Sequence, residues 1–138
     1  MKTLLLLSLA GAAGTLARYG AYVGARRLPW GVGGVGAAGM LPLATLAVNV
    51  LGSLAFGVIW ALADGSGGGS EPRVSSSTRL LLLTGFMGAF TTFSTFAFET
   101  GQYLRQGEYG WAMANLAANN LLGIGAFFLG LWVGAMLR

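Results

Sequence analysis

Long apolar runs, separated by short polar segments, dominate the pattern of this chain. Four of the runs reach the roughly 20 residues that a helix needs to cross a membrane. We therefore predict membrane-spanning helices at about 3–27, 40–63, 78–105 and 109–137. Together they predict an all-α membrane protein in which residues 1–138 form a single transmembrane domain.

The third apolar run contains a stretch that favours a regular helix poorly. Residues 85–96, GFMGAFTTFSTF, combine glycines with threonines and a serine, whose hydroxyls redirect backbone hydrogen bonds. We predict a break in the third helix near residues 86–92. Irregular backbone at membrane depth is tolerated only where it is buried in protein or lines a cavity. This stretch is therefore the first candidate for a functional site.

The composition agrees with a membrane protein and narrows its chemistry. The chain is 55% hydrophobic and only 9% charged, which excludes an ordinary soluble domain of this size. It has no Cys and no His, so it offers no disulfide framework, histidine metal site or histidine pH switch, and we do not expect an enzyme. The N-terminal segment also resembles a secretory signal, but its apolar pattern continues to Val23, which favours a first spanning helix.

Positive charges divide almost evenly between the two sides of the predicted bundle. One side carries Lys2, Arg73, Arg79 and Arg138, and the other carries Arg26, Arg27 and Arg105. Because the asymmetry of Lys and Arg orients a membrane protein, a near tie gives the insertion machinery little instruction. We expect insertion in both orientations and an antiparallel homodimer. The alternative is that short loops simply carry few charges.

Four helices of this length leave little room for a pore, so a transport role would also require an oligomer. Small residues offer a surface on which helix backbones approach closely in lipid. We expect this contact surface to include Gly11, Gly14, Gly20, Gly52, Gly57, Gly123, Gly130 and Gly134.

Two stripes of polar residues cross the predicted membrane helices. Thr45, Asn49 and Ser53 share one face of the second helix. Asn115 and Asn119 share one face of the fourth, with Asn120 beside them and Gly123 continuing the face. Asparagines often form hydrogen bonds between membrane helices, so each stripe alone is explained by helix association. Two stripes beside a broken third helix favour a pathway for a polar solute.

Two charged residues lie within or close to the apolar runs. Arg18 lies well inside the first run, where a charged residue indicates a functional site unless its long side chain reaches the interface. Glu99 lies near the end of the third run, and it is either the partner of Arg18 or an interfacial residue. The net charge of +4 fits either attraction of anions or anchoring to anionic lipid.

Phe93 and Phe96 are three residues apart and share a helix face. Phenylalanines on membrane helices usually face lipid. A phenyl ring nevertheless has a positive edge, which can coordinate a small anion. Such a site binds weakly, as conduction requires.

Three motifs resemble, in their order and position, those of the small bacterial fluoride channels of the Fluc/CrcB type. They are GAAGTLARY at 11–19, TLAVNVLGSLAFG at 45–57 and GFMGAFTTFSTF at 85–96, and the resemblance covers almost the whole chain. It implies a dual-topology homodimer in the bacterial inner (plasma) membrane, with two antiparallel pores that passively export cytoplasmic fluoride. The implied partners are fluoride, membrane lipid and a second copy of the chain, with no nucleic acid.

The resemblance also implies roles for individual residues of this sequence. Asn49 matches the pore asparagine, and Phe93 and Phe96 match the paired phenylalanines whose ring edges line the path. Gly88 and Thr91 match the positions whose backbone carbonyls hold a structural Na⁺ at the dimer interface. Thr92, Ser94 and Thr95 complete the hydroxyl-rich motif, and Arg18 matches the first-span arginine.

The fourth run departs from the pattern of that family. Similar proteins often have a tyrosine followed by serines as a polar track, whereas this chain has Asn115, Asn119 and Gly123. Because asparagine both donates and accepts hydrogen bonds, we still expect a track along this helix.

Two other functions compete with a channel. A small proton-coupled multidrug exporter also has four spans and dual topology, but its chemistry needs a carboxylate embedded in the first span, and that run has none. A non-conducting scaffold would use its asparagine and glycine faces only for packing. Purified protein that carries no ion flux would favour the scaffold.

Overall fold

The structure, a computed structural model, describes residues 1–27, 42–64 and 74–137. Within these ranges it holds four helical spans that are long and apolar enough to cross a membrane, and no β-strand. In chain order, spans 1 to 4 are Lys2–Ala25, Leu43–Ala63, Ser76–Arg105 and Tyr109–Met136. The prediction of an all-α protein with four membrane-spanning helices is confirmed.

Some predicted features lie outside the described residues. They are residues 40 and 41 of the second predicted span and two of the arginines in the charge comparison, Arg73 and Arg138. The five other basic residues of that comparison lie within the described ranges.

Spans 1 and 3 run in the same direction through the bundle. Gly14 packs against the backbone of Phe86, and one turn further along span 1 Arg18 reaches Thr91. The contacts therefore advance together along both sequences. Close approach is possible at this point because a side chain at residue 14 would collide with the carbonyl oxygen of Phe86, and glycine has none.

Spans 2 and 4 run together in the opposite direction and form the closest helix pair of the bundle. Gly57 lies against the carbonyl oxygen of Phe127, and Gly134 packs on Ala61. We name the two ends of the bundle by residues: the Lys2 end also holds Ala63, Ser76 and Met136, and the Arg105 end also holds Ala25, Leu43 and Tyr109.

Most of the glycines that we expected at a contact between two chains pack instead against a neighbouring span of the same chain. A side chain would collide with a neighbouring span of the same chain at Gly14, Gly52, Gly57, Gly130 and Gly134. These glycines pack within one chain, so the expectation that they contact a second copy was wrong. Gly20 differs, because no heavy atom of the described chain lies within 4 Å of the position that its Cβ would occupy.

Span 3 consists of several helical segments. A short α-helix, Ser76–Leu80, is followed by a π-helix, Leu81–Met87, a single turn, Gly88–Phe90, and an α-helix, Phe93–Arg105. The π-helix was not predicted from the sequence. It packs against span 1, where Ala10 and Leu7 surround Gly85.

The two residues between the last segments of span 3 have extended backbone. Thr91 has φ −77° and ψ 160°, and Thr92 has φ −148° and ψ 110°. The Thr92 hydroxyl then accepts a hydrogen bond from the backbone N–H of Thr95 at 3.2 Å, which caps the helix that follows.

A tight turn joins spans 3 and 4. Gly107 has a positive φ of 76°, a conformation that glycine adopts without steric cost. The backbone N–H of Glu108 donates to the Tyr103 carbonyl at 2.9 Å, and that of Gly107 donates to the Leu104 carbonyl at 3.2 Å. This bonding ends span 3 and turns the chain into span 4 as an antiparallel neighbour.

Candidate functional site

A cavity of about 450 Å³ lies between spans 2, 3 and 4. It extends from the middle of span 2 towards the Lys2 end, and asparagine amides, hydroxyls and aromatic rings form its wall. Span 2 contributes Asn49, Gly52, Ser53 and Phe56; span 3 contributes Thr91, Thr92, Phe93 and Phe96; span 4 contributes Asn119, Asn120, Gly123, Ile124 and Phe127. No charged side chain is among these lining residues of the described chain.

Asn49 pairs with the extended backbone of span 3. Its Oδ1 accepts from the backbone N–H of Thr92 at 2.9 Å, and its Nδ2 donates to the Thr92 carbonyl at 3.2 Å. The side-chain amide thus makes the two bonds that a neighbouring β-strand would make. Thr92 is only 5% exposed, so its peptide groups need these partners.

A ladder of amide hydrogen bonds runs from the cavity towards the Arg105 end. Asn49 Nδ2 donates to Asn119 Oδ1 at 3.0 Å, Asn119 Nδ2 donates to Asn115 Oδ1 at 2.9 Å, and Asn115 Nδ2 donates to the Thr100 hydroxyl at 2.9 Å. The Thr100 hydroxyl donates to the carbonyl of Phe96 at 2.9 Å. The two polar stripes noted in the sequence therefore face each other.

Hydroxyls at the start of the Phe93–Arg105 helix bond to one another. The Thr92 hydroxyl donates to Thr95 Oγ1 at 2.9 Å and lies 3.3 Å from Ser94 Oγ. Ser94 and Thr95 do not line the cavity. In this arrangement they support the backbone turn at Thr92, and Thr92 is the hydroxyl residue that reaches the cavity wall.

Phe93 and Phe96 form an edge-to-face pair at the cavity wall. Their ring centroids are 5.5 Å apart and the rings are inclined by 62°. Phe96 is buried at 7% exposure, whereas Phe93 is 77% exposed on the surface of the single chain. The pair therefore connects the interior of the cavity to an open face of the bundle.

A second buried polar cluster lies closer to the Arg105 end than Asn49 does. The Thr45 hydroxyl donates to Glu99 Oε1 at 2.6 Å and lies 2.7 Å from the hydroxyl of Tyr22. Glu99 is 3% exposed, and its Oε2 has no hydrogen-bond partner among the described residues. Sequence reasoning missed Tyr22, although its position one helical turn after Arg18 was an available signal.

Arg18 contacts the extended backbone and not Glu99. Its guanidinium donates to the Thr91 carbonyl at 3.2 Å, and it makes no ion pair with a residue of the described ranges. Two roles were considered for Glu99 from the sequence, and the structure supports neither an ion pair with Arg18 nor a purely interfacial position.

The carbonyls of Gly88 and Thr91 have lost the amide partners that a continuous helix would give them. The N–H of Thr92 donates to Asn49, and the N–H of Thr95 donates to the Thr92 hydroxyl. Unwound carbonyls of this kind coordinate Na⁺ in membrane transporters. The donor set fits Na⁺ in type, although the Thr91 carbonyl already accepts from Arg18. The described residues contain no cluster of acidic side chains that could hold a metal instead.

Two polar groups on the cavity wall keep donors that the protein does not use. Within the described chain the Ser53 hydroxyl makes no hydrogen bond. Asn120 donates one Nδ2 hydrogen to the Leu116 carbonyl at 2.7 Å, which leaves its other hydrogen without an acceptor among those residues. By contrast, the Nδ2 of Asn49 donates to two acceptors.

Comparison with known sequences gives the family of this chain. A profile of the family described as CrcB-like protein, Camphor Resistance (CrcB), matches residues 5–131. The chain belongs to the CrcB family. This match confirms the resemblance drawn from the three sequence motifs. With four helices of spanning length, this CrcB protein is a multi-pass bacterial membrane protein.

Relatives of this CrcB protein that are named fluoride-specific ion channel FluC match nearly the whole chain. The protein of Nitratidesulfovibrio vulgaris is 44% identical over 140 residues, covering 99% of both chains. That of Nitrosococcus oceani is 42% identical over 136 residues, covering 95% of this chain and 94% of its own. That of Solidesulfovibrio magneticus is 41% identical over 136 residues with the same coverage.

In this CrcB chain the structure brings together part of the residue set named from the sequence. The cavity wall includes Asn49, Thr91, Thr92, Phe93, Phe96 and Asn119. The wall does not include Arg18, Thr45, Gly88, Ser94, Thr95 and Asn115, of which Thr45 and Asn115 are fully enclosed by protein. The cavity adds Phe56 and Phe127, which sequence reasoning missed, and it also includes Ser53 and Asn120, which the sequence indicated only as members of the two polar stripes.

Proposed function

We propose that this CrcB protein is a passive fluoride-selective channel that exports cytoplasmic fluoride across the bacterial inner membrane. One observation carries the proposal: a membrane-embedded cavity lined by neutral donors and aromatic rings, in a chain whose relatives are named fluoride-specific ion channels. Neutral donors replace part of the hydration shell of an anion without holding it as tightly as a buried cation would. Conduction requires such weak, repeated binding.

The free donors are the groups at which fluoride would first lose water. Ser53 and Asn120 offer an O–H and an N–H that have no acceptor within the described chain. The positive ring edges of Phe93 and Phe96 supply further weak contacts on the other side of the cavity. We assign these four residues to the ion path beside Asn49.

Asn49 has to exchange a partner to bind the ion. The Nδ2 of Asn49 already donates to two acceptors in this structure, the Thr92 carbonyl and Asn119 Oδ1. An arriving fluoride would replace Asn119 Oδ1, because the bond to Thr92 also supports the backbone of span 3. Asn119 then keeps its own donation to Asn115, so the rest of the ladder persists.

We further propose that the functional unit is an antiparallel homodimer with two pores. The near tie in basic residues removes an orientation preference. Phe93, a wall residue of the cavity, is 77% exposed in the single chain, so it offers a surface on which another molecule can pack. A second copy in the opposite orientation would cover it.

A structural Na⁺ at the dimer interface would be held by the carbonyls of Gly88 and Thr91 from each copy. The cation would supply a positive charge that fixes the extended backbone of span 3. Arg18 shares the Thr91 carbonyl and neutralises part of the negative field there. We propose that the break in span 3 at residues 91 and 92 is the feature that frees these oxygens.

Fluoride efflux from liposomes tests the channel. Liposomes that contain the full chain should release fluoride quickly and chloride hardly at all, as measured with ion-selective electrodes. Comparable release of both anions would contradict the proposed selectivity, and the absence of any flux would favour a scaffold.

Phenylalanine variants test the role of the ring edges. Phe93→Ile and Phe96→Ile should each reduce fluoride efflux, because isoleucine has no positive edge. Phe98→Ile is the matched control on the same helix, since Phe98 is exposed and does not line the cavity. Normal flux in both pathway variants would show that the rings do not contact the ion.

The exporter alternative makes a different prediction for Glu99. Span 1 has no carboxylate, but Glu99 is a buried carboxylate in span 3 with one unpartnered oxygen among the described residues. Proton-coupled exchange would require it, whereas passive fluoride efflux would not depend on a proton gradient. Drug-stimulated proton uptake that is lost in Glu99→Gln would favour the exporter.

A further inference from the structure

A second cavity, of about 440 Å³, lies near the Lys2 end between spans 2 and 3. Its polar residues are Ser76, Arg79 and Thr84, and its apolar wall includes Phe56, Trp60 and Leu83. Only Phe56 is shared with the cavity of the proposed ion path. We name this second cavity the Arg79 cavity.

The guanidinium of Arg79 contacts the Trp60 ring, and its hydrogen-bond donors stay unused within the described residues. Its central carbon lies 4.3 Å from the centroid of the Trp60 ring, a cation–π contact. A cation–π contact uses the positive charge of the guanidinium and requires none of its five N–H groups as hydrogen-bond donors. Within the described ranges Arg79 makes no ion pair and no hydrogen bond through its side chain. Its charge therefore lacks a protein counterion there.

The Arg79 cavity lies near the ends of spans 2 and 3, where we expect the boundary between headgroups and hydrocarbon. Trp60 lies three residues before the end of span 2, and Arg79 lies three residues after the start of span 3. Tryptophans concentrate at this level of a membrane. From Ser76 the wall continues through Leu80 to Thr84, about two helical turns along span 3.

The wall of the Arg79 cavity is polar near the end of the bundle and apolar deeper inside, as a ligand with a charged group and a hydrocarbon chain requires. The outer part offers an arginine and a serine hydroxyl, and the inner part offers the rings and branched side chains of Phe56 and Leu83. A free anion would use only the outer part. A phospholipid would use both, with its phosphate at Arg79 and the first segment of an acyl chain over the apolar wall.

We propose that the Arg79 cavity binds one anionic phospholipid per chain. The phosphate accepts hydrogen bonds from the Arg79 guanidinium, which lies over the Trp60 ring. A net negative headgroup is favoured over a zwitterionic one, because the site carries an uncompensated positive charge and the chain as a whole is +4. The proposal does not depend on fluoride conduction.

Quenching of tryptophan fluorescence by brominated lipid tests this site directly. The chain would be reduced to one tryptophan, Trp60, by W30F, W111F and W132F, and reconstituted with brominated phosphatidylglycerol or brominated phosphatidylcholine. We expect phosphatidylglycerol to associate about fivefold more strongly than phosphatidylcholine, the effect of one basic residue near the surface. The preference should fall to about onefold in R79Q.

A conservative variant and a soluble competitor complete the design. R79K keeps the charge and should keep most of the preference, so it separates loss of charge from loss of fold. Thermal unfolding of each variant in detergent checks the fold independently. Millimolar inorganic phosphate should leave the quenching by phosphatidylglycerol unchanged, since phosphate lacks the acyl chain.

Several outcomes would overturn the proposal. One is equal quenching of Trp60 by both lipids in the single-tryptophan chain. Another is a preference for phosphatidylglycerol that persists in R79Q. Displacement of the lipid by phosphate would identify a site for free anions. Absence of quenching by either lipid would show that protein covers the cavity. A last outcome combines two assays: the quenching shows no preference for phosphatidylglycerol, and R79Q lowers fluoride efflux from purely zwitterionic liposomes. In that case the cavity is an entrance to the ion path and not a lipid site.

Discussion

Removal of the Asn49 side chain tests the most connected contact of the site. In Asn49→Ala three groups lose a hydrogen-bond partner: the backbone N–H of Thr92 at 2.9 Å, the Thr92 carbonyl at 3.2 Å and Asn119 Oδ1 at 3.0 Å. A buried polar group without a partner costs about 1–3 kcal/mol. Because water in the adjacent cavity can reach part of this peptide, we take the lower half of the range for each group. The free energy of unfolding should therefore fall by about 3–6 kcal/mol for the three groups together.

Unfolding in mixed micelles by titration with sodium dodecyl sulfate measures this change. All variants would be compared at one protein concentration, since association with a second copy also contributes to apparent stability. Asn120→Ala is the matched control: Asn120 lines the same cavity but makes only a local bond to its own helix. We expect the control to lie within about 0.5 kcal/mol of the unchanged chain.

The two variants also separate a structural role from an ionic one. If Asn49 acts only as an ion ligand, Asn49→Ala will unfold like the unchanged chain and will differ only in fluoride efflux. An unfolding free energy within about 0.5 kcal/mol of the unchanged chain would refute the reasoning from the Thr92 bonds. Such a result would mean that the extended backbone is supported by other contacts.

Three further predictions follow from the packing, the buried cluster and the carbonyls. Gly130→Val should lower the free energy of unfolding by about 1–3 kcal/mol or more, because the added side chain collides with the Leu54 carbonyl. Gly125→Val on the same helix is the control: its side chain meets open space and should be tolerated in the same titration. Thr45→Val should destabilise by about 1–3 kcal/mol because Glu99 loses its hydroxyl donor and Tyr22 loses its hydroxyl partner. Thr45→Ser keeps the hydroxyl and should lose less; an equal loss in both variants would contradict the bonds as the cause. Replacing Na⁺ with a large organic cation should weaken the dimer measured by dilution in liposomes, and an unchanged dimer would speak against the carbonyl site.

The helices could be predicted from the sequence because their signal is local. An apolar run of sufficient length predicts a membrane span whatever packs around it. The polar stripes could be predicted for the same reason, since Asn115 and Asn119 lie one turn apart on one helix. That they form hydrogen bonds in line with Asn49 was not predicted from the sequence, and the structure gives these bonds. The role of each residue in ion conduction stays a prediction.

Features that depend on a neighbouring span could not be predicted. The sequence showed small-residue faces but not which helix would cover them, so glycines that pack within the chain were expected at an interface between chains. Likewise Arg18 and Glu99 looked like candidate partners by charge. Their depth in the bundle decides otherwise: Arg18 lies level with the extended Thr91, and Glu99 lies level with Thr45. The π-helix packs against span 1, and no local pattern in the sequence predicts it.

The direct pairing of spans 2 and 4 has a consequence for how the protein is made. Asn49 and Asn119 bond across 70 positions of the sequence, so the closest helix pair joins distant parts of the chain. While a ribosome has produced only the first three spans, the glycine face of span 2 has no cover and the Asn49 amide lacks one acceptor. We expect the nascent chain to stay with the insertion machinery until span 4 arrives. A truncation before Tyr109 should therefore be removed by membrane proteases and should not accumulate as a partly folded bundle.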